Sequence, residues 1–169
     1  MRLVGTCARS DPAVTSRLRS DGTETAPGFR SAPRPVLLAT LDAPILDEAA
    51  QFAVDSAVES GQPLLVVNAV ETTLSPCSMG LGYDYIARPD IEQSLRAPAE
   101  LAHGLGIPVE RVCLRSTRPV EALLDFAAER DTGLLVLGPD STQMPRRRYR
   151  RAVRKVRDTS PCLVWLASD

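Results

Sequence analysis

After position 35, short runs of apolar residues alternate with longer amphipathic stretches. The runs cover about 36–41, 64–70, 109–114, 134–137 and 162–166. They are nearly continuous in apolar character, which is typical of strands buried on both faces, as in a parallel sheet. We therefore predict five parallel strands, the third of which is less apolar and closer to an edge.

The stretches between these runs have helical periodicity. Residues 45–60 carry apolar side chains at helical spacing and end at Gly61, a residue that commonly closes a helix. Further helices are predicted over about 89–103, from Pro119 onward, and over about 146–158. This alternation predicts an α/β fold: a five-stranded parallel sheet with helices on both faces, Rossmann-like in architecture.

The chain divides near position 33. Residues 1–33 are rich in Ser, Thr, Gly, Pro and Arg and show neither helical nor strand periodicity, so we expect a disordered N-terminal tail. Residues 34–169 then form one domain, a size that buries enough surface to fold without a disulfide or a metal.

Cysteine usage and hydropathy limit the classes of protein. The four cysteines lie far apart without a CxxC pair, and His103 is the one histidine, so we predict reduced thiols and no metal site. No apolar run approaches the roughly 20 residues of a membrane helix. The N-terminus also lacks the apolar stretch of a signal peptide. We therefore expect a cytoplasmic protein that does not associate with membranes.

Charge is distributed unevenly along the chain. Residues 34–145 hold seven arginines against sixteen carboxylates, whereas residues 146–157 hold eight basic side chains and no acidic one. This basic helix also carries an apolar stripe at helical spacing. Its charged face is either solvated and paired with the acidic body, or an anion patch for nucleic acid, a phosphorylated ligand or an acidic partner. The residues of this candidate patch are Arg146, Arg147, Arg148, Arg150, Arg151, Arg154, Lys155 and Arg157.

Four segments resemble the universal stress protein family. Residues 37–42 resemble its first strand and terminal aspartate, and residues 66–71 its second strand. Residues 119–124 followed by 134–138 resemble its third helix and fourth strand, and residues 160–165 its closing strand. The resemblance covers about residues 35–167. It implies a stress-response binding or regulatory protein, not an enzyme, and a homodimer that pairs through strand 162–166.

ATP-binding members of this family carry a Gly-x-x-Gly-x9-Gly-Ser/Thr motif after the fourth strand, in which backbone N–H groups and a helix N-terminus hold phosphates. Gly138 matches the first glycine, but Ser141, Arg151 and Ala152 replace the later positions, and Pro139 removes a backbone donor. We expect loss of the usual ATP site and predict no firm cofactor. The candidate nucleotide-binding residues implied by the resemblance are Thr40, Leu41, Asp42, Val70, Gly138, Ser141, Arg151 and Ala152.

Two further hypotheses remain open. In the family, the aspartate that matches Asp42 helps to hold adenine and ribose, whereas a purely structural Asp42 would cap a helix or stabilise a loop. A nucleotide such as ATP could still bind if Asp42 is kept and arginines within 146–151 replace the glycine N–H groups, since Arg makes bidentate phosphate contacts. Alternatively, the basic helix 146–157 binds nucleic acid or another anion.

Overall fold

A computed structural model of the chain describes residues 34–72 and 88–167. Strands and helices alternate along these ranges, as the sequence predicts. The strands are β1 (Val36–Thr40), β2 (Leu64–Glu71), β3 (Val109–Ser116), β4 (Leu134–Leu137) and β5 (Leu163–Leu166). The helices are α1 (Asp47–Ser60), α2 (Pro89–Gly104), α3 (Pro119–Glu129) and α4 (Arg146–Thr159).

All pairings in the sheet are parallel, in the order β3-β2-β1-β4-β5. The central strand β1 pairs Val36 with Leu64 of β2 on one side and with Leu134 of β4 on the other. Every residue of β1 is buried, which explains its apolar run from Val36 to Ala39. Strands β2 and β3 lie on one side of β1, and β4 and β5 lie on the other. The strand order therefore reverses direction between β1 and β4, and open α/β sheets form their ligand crevice at such a switch point.

The sheet separates two apolar cores. On one face, α3 and α4 pack over Leu37 and Leu135. On the other face, α1 and α2 pack over Leu38 and Val136. Adjacent residues of one strand point to opposite faces, so the same short strand contributes to both cores. Fully burying one such leucine contributes about 2 kcal/mol.

Glycine and proline residues set several helix ends. Gly61 adopts a left-handed φ of 64° after α1 and donates its N–H to the carbonyls of Ala57 and Val58. Pro89 and Pro119 stand in the first turns of α2 and α3, where a missing N–H leaves no helical hydrogen bond unmade.

The predicted fold class is confirmed, and the boundaries differ by one or two residues. β1 ends at Thr40 rather than residue 41, α1 begins at Asp47 rather than residue 45, and β5 begins at Leu163 rather than residue 162. Cys162, which the apolar pattern places in a buried strand, is half-buried beside Ser160 Oγ, 3.4 Å from its sulfur. The predicted tail 1–33 lies outside the described residues.

Candidate functional site

The turn after β1 is built around Asp42. This residue has a left-handed φ of 56°, a conformation that costs most residues other than glycine some free energy. Asn68 Oδ1, almost fully buried in β2 beside the last residue of β1, accepts the Asp42 N–H at 3.0 Å. Thr40 supports the same turn, since its buried hydroxyl donates to the Ala43 carbonyl. The helix-cap interpretation of Asp42 is wrong, because α1 begins only at Asp47 and its N-cap residue is Leu46.

The loop after β4 uses its backbone donors internally. Gly138 donates its N–H to Ala39, and its carbonyl accepts from Leu46. Asp140 donates its N–H to the Pro44 carbonyl, and its side chain accepts from the Thr142 N–H. These bonds join the loops after β1 and β4 across the switch point of the sheet. They leave the N–H groups of residues 138, 140 and 142 already occupied.

Gly138 has a packing reason to be glycine. A Cβ atom at this position would lie 2.1 Å from Ala49 Cβ on α1, far inside van der Waals contact. The absence of a side chain therefore lets α1 approach the end of β4 closely. No phosphate contact is needed to explain this residue.

A cleft of about 340 Å³ opens at the carboxyl edge of the sheet, between α3 and α4. Its floor includes Leu41, which follows β1, and its walls include Val120 and Ala152. Four basic side chains line it against two carboxylates, which gives a formal charge of +2. We call it the cationic cleft; its charged residues are Glu71, Arg118, Glu121, Arg148, Arg151 and Lys155.

Both carboxylates of the cationic cleft are paired. Lys155 donates a hydrogen bond to Glu121, and this bond is the main reason that the pKa of Glu121 lies below its ordinary value of 4.5. Arg118 adds a smaller Coulombic contribution in the same direction. Arg148 Nη2 lies 3.4 Å from Glu71 Oε2, yet this solvent-shielded nitrogen makes no hydrogen bond within the described residues. A buried donor without a hydrogen bond is costly, so a ligand oxygen within reach would stabilise it.

The structure brings together only part of the predicted nucleotide site. Leu41, Arg151 and Ala152 line the cationic cleft. Thr40 and Val70 are buried, and Gly138 is packed against α1. Ser141 lies in a different depression, together with Arg146 and Arg150.

The predicted site residues do not include three charged residues of the cleft: Glu71, Arg118 and Glu121. Glu71 is the last residue of β2, and the other two flank the start of α3. A signal was available, because residues that directly follow parallel strands meet at one edge of the sheet. Their proximity to α4, however, depends on how α3 and α4 pack together.

The candidate anion patch divides into two sets. Arg148 and Lys155 turn towards the sheet and pair with Glu71 and Glu121, as the solvated-and-paired interpretation expects. The other six side chains are exposed, and within residues 34–72 and 88–167 only Arg157 among them has an ion pair, with Asp158. We call this second set the outer face of α4: Arg146, Arg147, Arg150, Arg151, Arg154 and Arg157.

The sequence profile of the universal stress protein family matches residues 33–167. The chain belongs to the universal stress protein family. This confirms the family expected from the strand and helix segments. A comparison of the sequence with curated proteins gives no significant match.

Solved structures of universal stress proteins share this fold. One from Archaeoglobus fulgidus is 18% identical, with a TM-score of 0.55 over 81% of this chain and 100% of its own. Another, in complex with cAMP, is 23% identical, with a TM-score of 0.56 over 82% and 99%. The Archaeoglobus fulgidus protein in complex with dAMP is 18% identical, with a TM-score of 0.54 over 80% and 98%. At these identities the likeness establishes the fold alone.

Within residues 34–72 and 88–167, no three His, Cys, Asp or Glu side chains cluster as a metal site would require. In the same ranges, no helix combines the length and the hydropathy of a membrane-spanning segment.

Proposed function

We propose that this universal stress protein is a regulatory binding protein of the stress response, rather than an enzyme, and that it lacks the family's usual backbone site for ATP phosphates. We also place it in the cytoplasm, as the sequence leads us to expect. The observation that carries the proposal is the loop after β4. Hydrogen bonds within the protein already occupy the backbone N–H groups of Gly138, Asp140 and Thr142, and Pro139 has no backbone N–H. A glycine cradle binds phosphate through free N–H groups, and this loop offers few.

Calorimetric titration of the purified full-length chain with ATP tests this proposal, together with extraction of any nucleotide that copurifies. We expect no copurified nucleotide and no measurable heat of binding at ATP concentrations in the millimolar range. This result corresponds to a Kd above about 1 mM. Trapped nucleotide or micromolar affinity would contradict the proposed loss of the site.

A second candidate function is binding of a nucleotide or other phosphorylated small molecule by side chains. The cationic cleft favours it, since Arg118, Arg148, Arg151 and Lys155 outnumber the two carboxylates there. Arg148 also presents a nitrogen that makes no hydrogen bond to the part of the chain that the structure describes. Arginine binds phosphate through two parallel N–H donors, so guanidinium groups are chemically able to replace backbone N–H groups.

Variants of the cleft separate this candidate from the first. If side chains hold the phosphates, Arg118→Gln and Arg151→Gln should each weaken ATP binding about tenfold, since charge-assisted hydrogen bonds are involved. Arg96→Gln is the matched control, because Arg96 is exposed on α2 and paired with Glu100, away from the cleft. Asp42→Ala tests whether the turn after β1 also contacts the nucleotide. Equal losses in the control and the cleft variants would contradict a defined site.

We further propose a homodimer that pairs through segment 162–166, as the family resemblance implies. β5 is a terminal strand of the sheet, and Leu163 is 74% exposed. An exposed apolar side chain on an unpaired strand edge favours pairing with another strand. Light scattering should give twice the mass of the chain at tens of micromolar protein, and Leu163→Lys should shift the mass towards that of the monomer. A monomer at that concentration would refute the pairing.

A further inference from the structure

The outer face of α4 holds positive charge that the described part of the protein hardly neutralises. Its six arginines are exposed, and within residues 34–72 and 88–167 only Arg157 has an ion pair. Asp158 is the one carboxylate on this helix. Arg148 and Lys155, by contrast, already have acidic partners. The face therefore differs from an ordinary solvated helix surface, on which charges of both signs alternate.

The spacing of these charges fits a polyanion. Arg146 and Arg157 are separated by about 17 Å along the axis, at 1.5 Å per residue, so the six arginines place one charge about every 3 Å. One strand of a nucleic-acid duplex carries a phosphate about every 3.4 Å along its axis. The two linear charge densities are closely similar.

The start of α4 lacks the features that normally stabilise a helix N-terminus. Its first turn contains three arginines and no acidic residue, and the N-cap Pro145 provides no side-chain hydrogen bond. Positive side chains at the positive end of a helix dipole repel it, and an anion bound there removes the repulsion. A local arrangement that opposes helix stability is expected where the residues serve binding.

The composition of the face distinguishes among polyanions. Binding of single strands relies on aromatic side chains on which bases stack, whereas the one aromatic residue of α4, Tyr149, is buried and donates to the Ala167 carbonyl. Insertion into a lipid surface needs an exposed apolar stripe, but the apolar residues Ala152 and Val156 are buried under the helix. Arginine contacts to phosphates carry no sequence information by themselves.

We propose that the outer face of α4 binds the phosphodiester backbone of double-stranded nucleic acid without sequence specificity. This binding uses the solvent side of the helix and does not require a ligand in the cationic cleft. Arg151 borders both surfaces, so it is left unchanged in the test.

The test measures fluorescence anisotropy of a labelled mixed-sequence DNA duplex of about 20 base pairs against the full chain over a series of salt concentrations. With four to six phosphate contacts, log K should fall against log salt with a slope between about −3.6 and −5.4. In the triple variant Arg147→Gln, Arg150→Gln, Arg154→Gln, the slope should become shallower by about 2.7 and the affinity at 0.1 M salt should fall about 30-fold or more.

A control variant removes the same charge elsewhere. This triple variant changes three exposed arginines on the body of the domain: Arg96→Gln, Arg111→Gln and Arg130→Gln. It should bind the duplex within about twofold of the original chain and keep the slope. A triple Arg→Lys variant at 147, 150 and 154 should retain most of the affinity, which separates lost charge from lost folding.

Three results would overturn the proposal. One is absence of duplex binding at low salt, and another is an equal loss of affinity in the two Gln variants. The third is displacement of the duplex by poly-glutamate at equal charge concentration, which would indicate an acidic protein partner instead. Such a partner could be a second copy, since α1 exposes Asp47, Glu48, Asp55 and Glu59 and carries no basic residue. Sedimentation at low salt, with and without Glu48→Gln and Asp55→Gln, identifies that case.

Discussion

Whether Gly138→Ala raises or lowers the stability of the protein tests why glycine stands at position 138. Its φ is not in the left-handed region, so alanine fits the backbone there. In the absence of any clash, Gly138→Ala would stabilise the protein by about 0.4–1 kcal/mol, because alanine lowers the entropy of the unfolded chain. The structure predicts the opposite sign. The new Cβ would lie 2.1 Å from Ala49 Cβ, and carbon atoms pack best at about 3.5–4.0 Å.

The expected magnitude follows from these two terms. Separating the two Cβ atoms needs a shift of α1 by about 1.5 Å, and overpacking of this kind costs about 3 kcal/mol. After subtraction of the unfolded-state gain, Gly138→Ala should lower the free energy of unfolding by about 2 kcal/mol. For a domain of this size the midpoint of thermal unfolding should fall by about 8 °C.

A double-mutant cycle in urea isolates the contact. Trp165 is the one tryptophan of the chain, stacked on Phe52 at 4.7 Å, so its fluorescence reports unfolding. Ala49→Gly alone should cost about 1 kcal/mol through helix propensity, but the pair with Gly138→Ala should be about 2 kcal/mol more stable than the sum of the single effects. Ala53→Gly, also a buried alanine of α1, should give simple additivity with Gly138→Ala. Additivity with Ala49→Gly, or a stabilised single variant, would refute the packing argument.

Three other predictions concern the turn after β1 and the cationic cleft. Asn68→Ala should lower the free energy of unfolding by about 1–3 kcal/mol in urea, because the Asp42 N–H loses its partner; a change below about 0.5 kcal/mol would contradict this. Asp42→Gly should be neutral or stabilising, whereas Asp42→Ala should destabilise by about 1 kcal/mol, since only glycine adopts a φ of 56° without cost; equal effects would count against strain. The folded-state pKa of Glu121 is lowered, so its ion pair with Lys155 contributes stability above pH 4.5 that is lost as the pH falls below it. The stability difference between the original chain and Glu121→Gln should therefore shrink as urea titrations move from pH 7 to acid, and a difference that grows would refute the assignment.

The architecture was predictable because strands and helices leave local signals. Continuous apolar runs such as 134–137 occur where both faces of a strand are covered, and Pro119 or Gly61 marks where a helix begins or ends. The ends of strands were harder to predict, because an apolar residue at the end of a run fits either the strand or the adjacent loop. Cys162 belongs to an apolar run, yet the strand begins one residue later and its side chain is half-buried.

The candidate site was only partly predictable, because its contacts join distant segments. The Ala49 side chain that explains Gly138 is 89 positions away in the chain, and nothing near either residue indicates the contact. The basic helix, by contrast, is evident in the sequence. Its division into residues that pair across the cleft and residues that face solvent depends on the packing of α4 against α3 and the sheet.

The three predicted departures from the family's ATP motif would have one physical consequence. A glycine loop selects phosphate by geometry, since its N–H groups are fixed, short and uncharged. We expect Ser141, Arg151 and Ala152 to stand at the later motif positions, and the N–H groups of Gly138, Asp140 and Thr142 are bonded internally. Guanidinium groups on long side chains attract anions through charge and adapt to many shapes, so selectivity falls while sensitivity to salt rises. Any anion that binds along α4 should therefore be distinguished by its charge density more than by its chemical identity, which favours a polyanion over a single nucleotide.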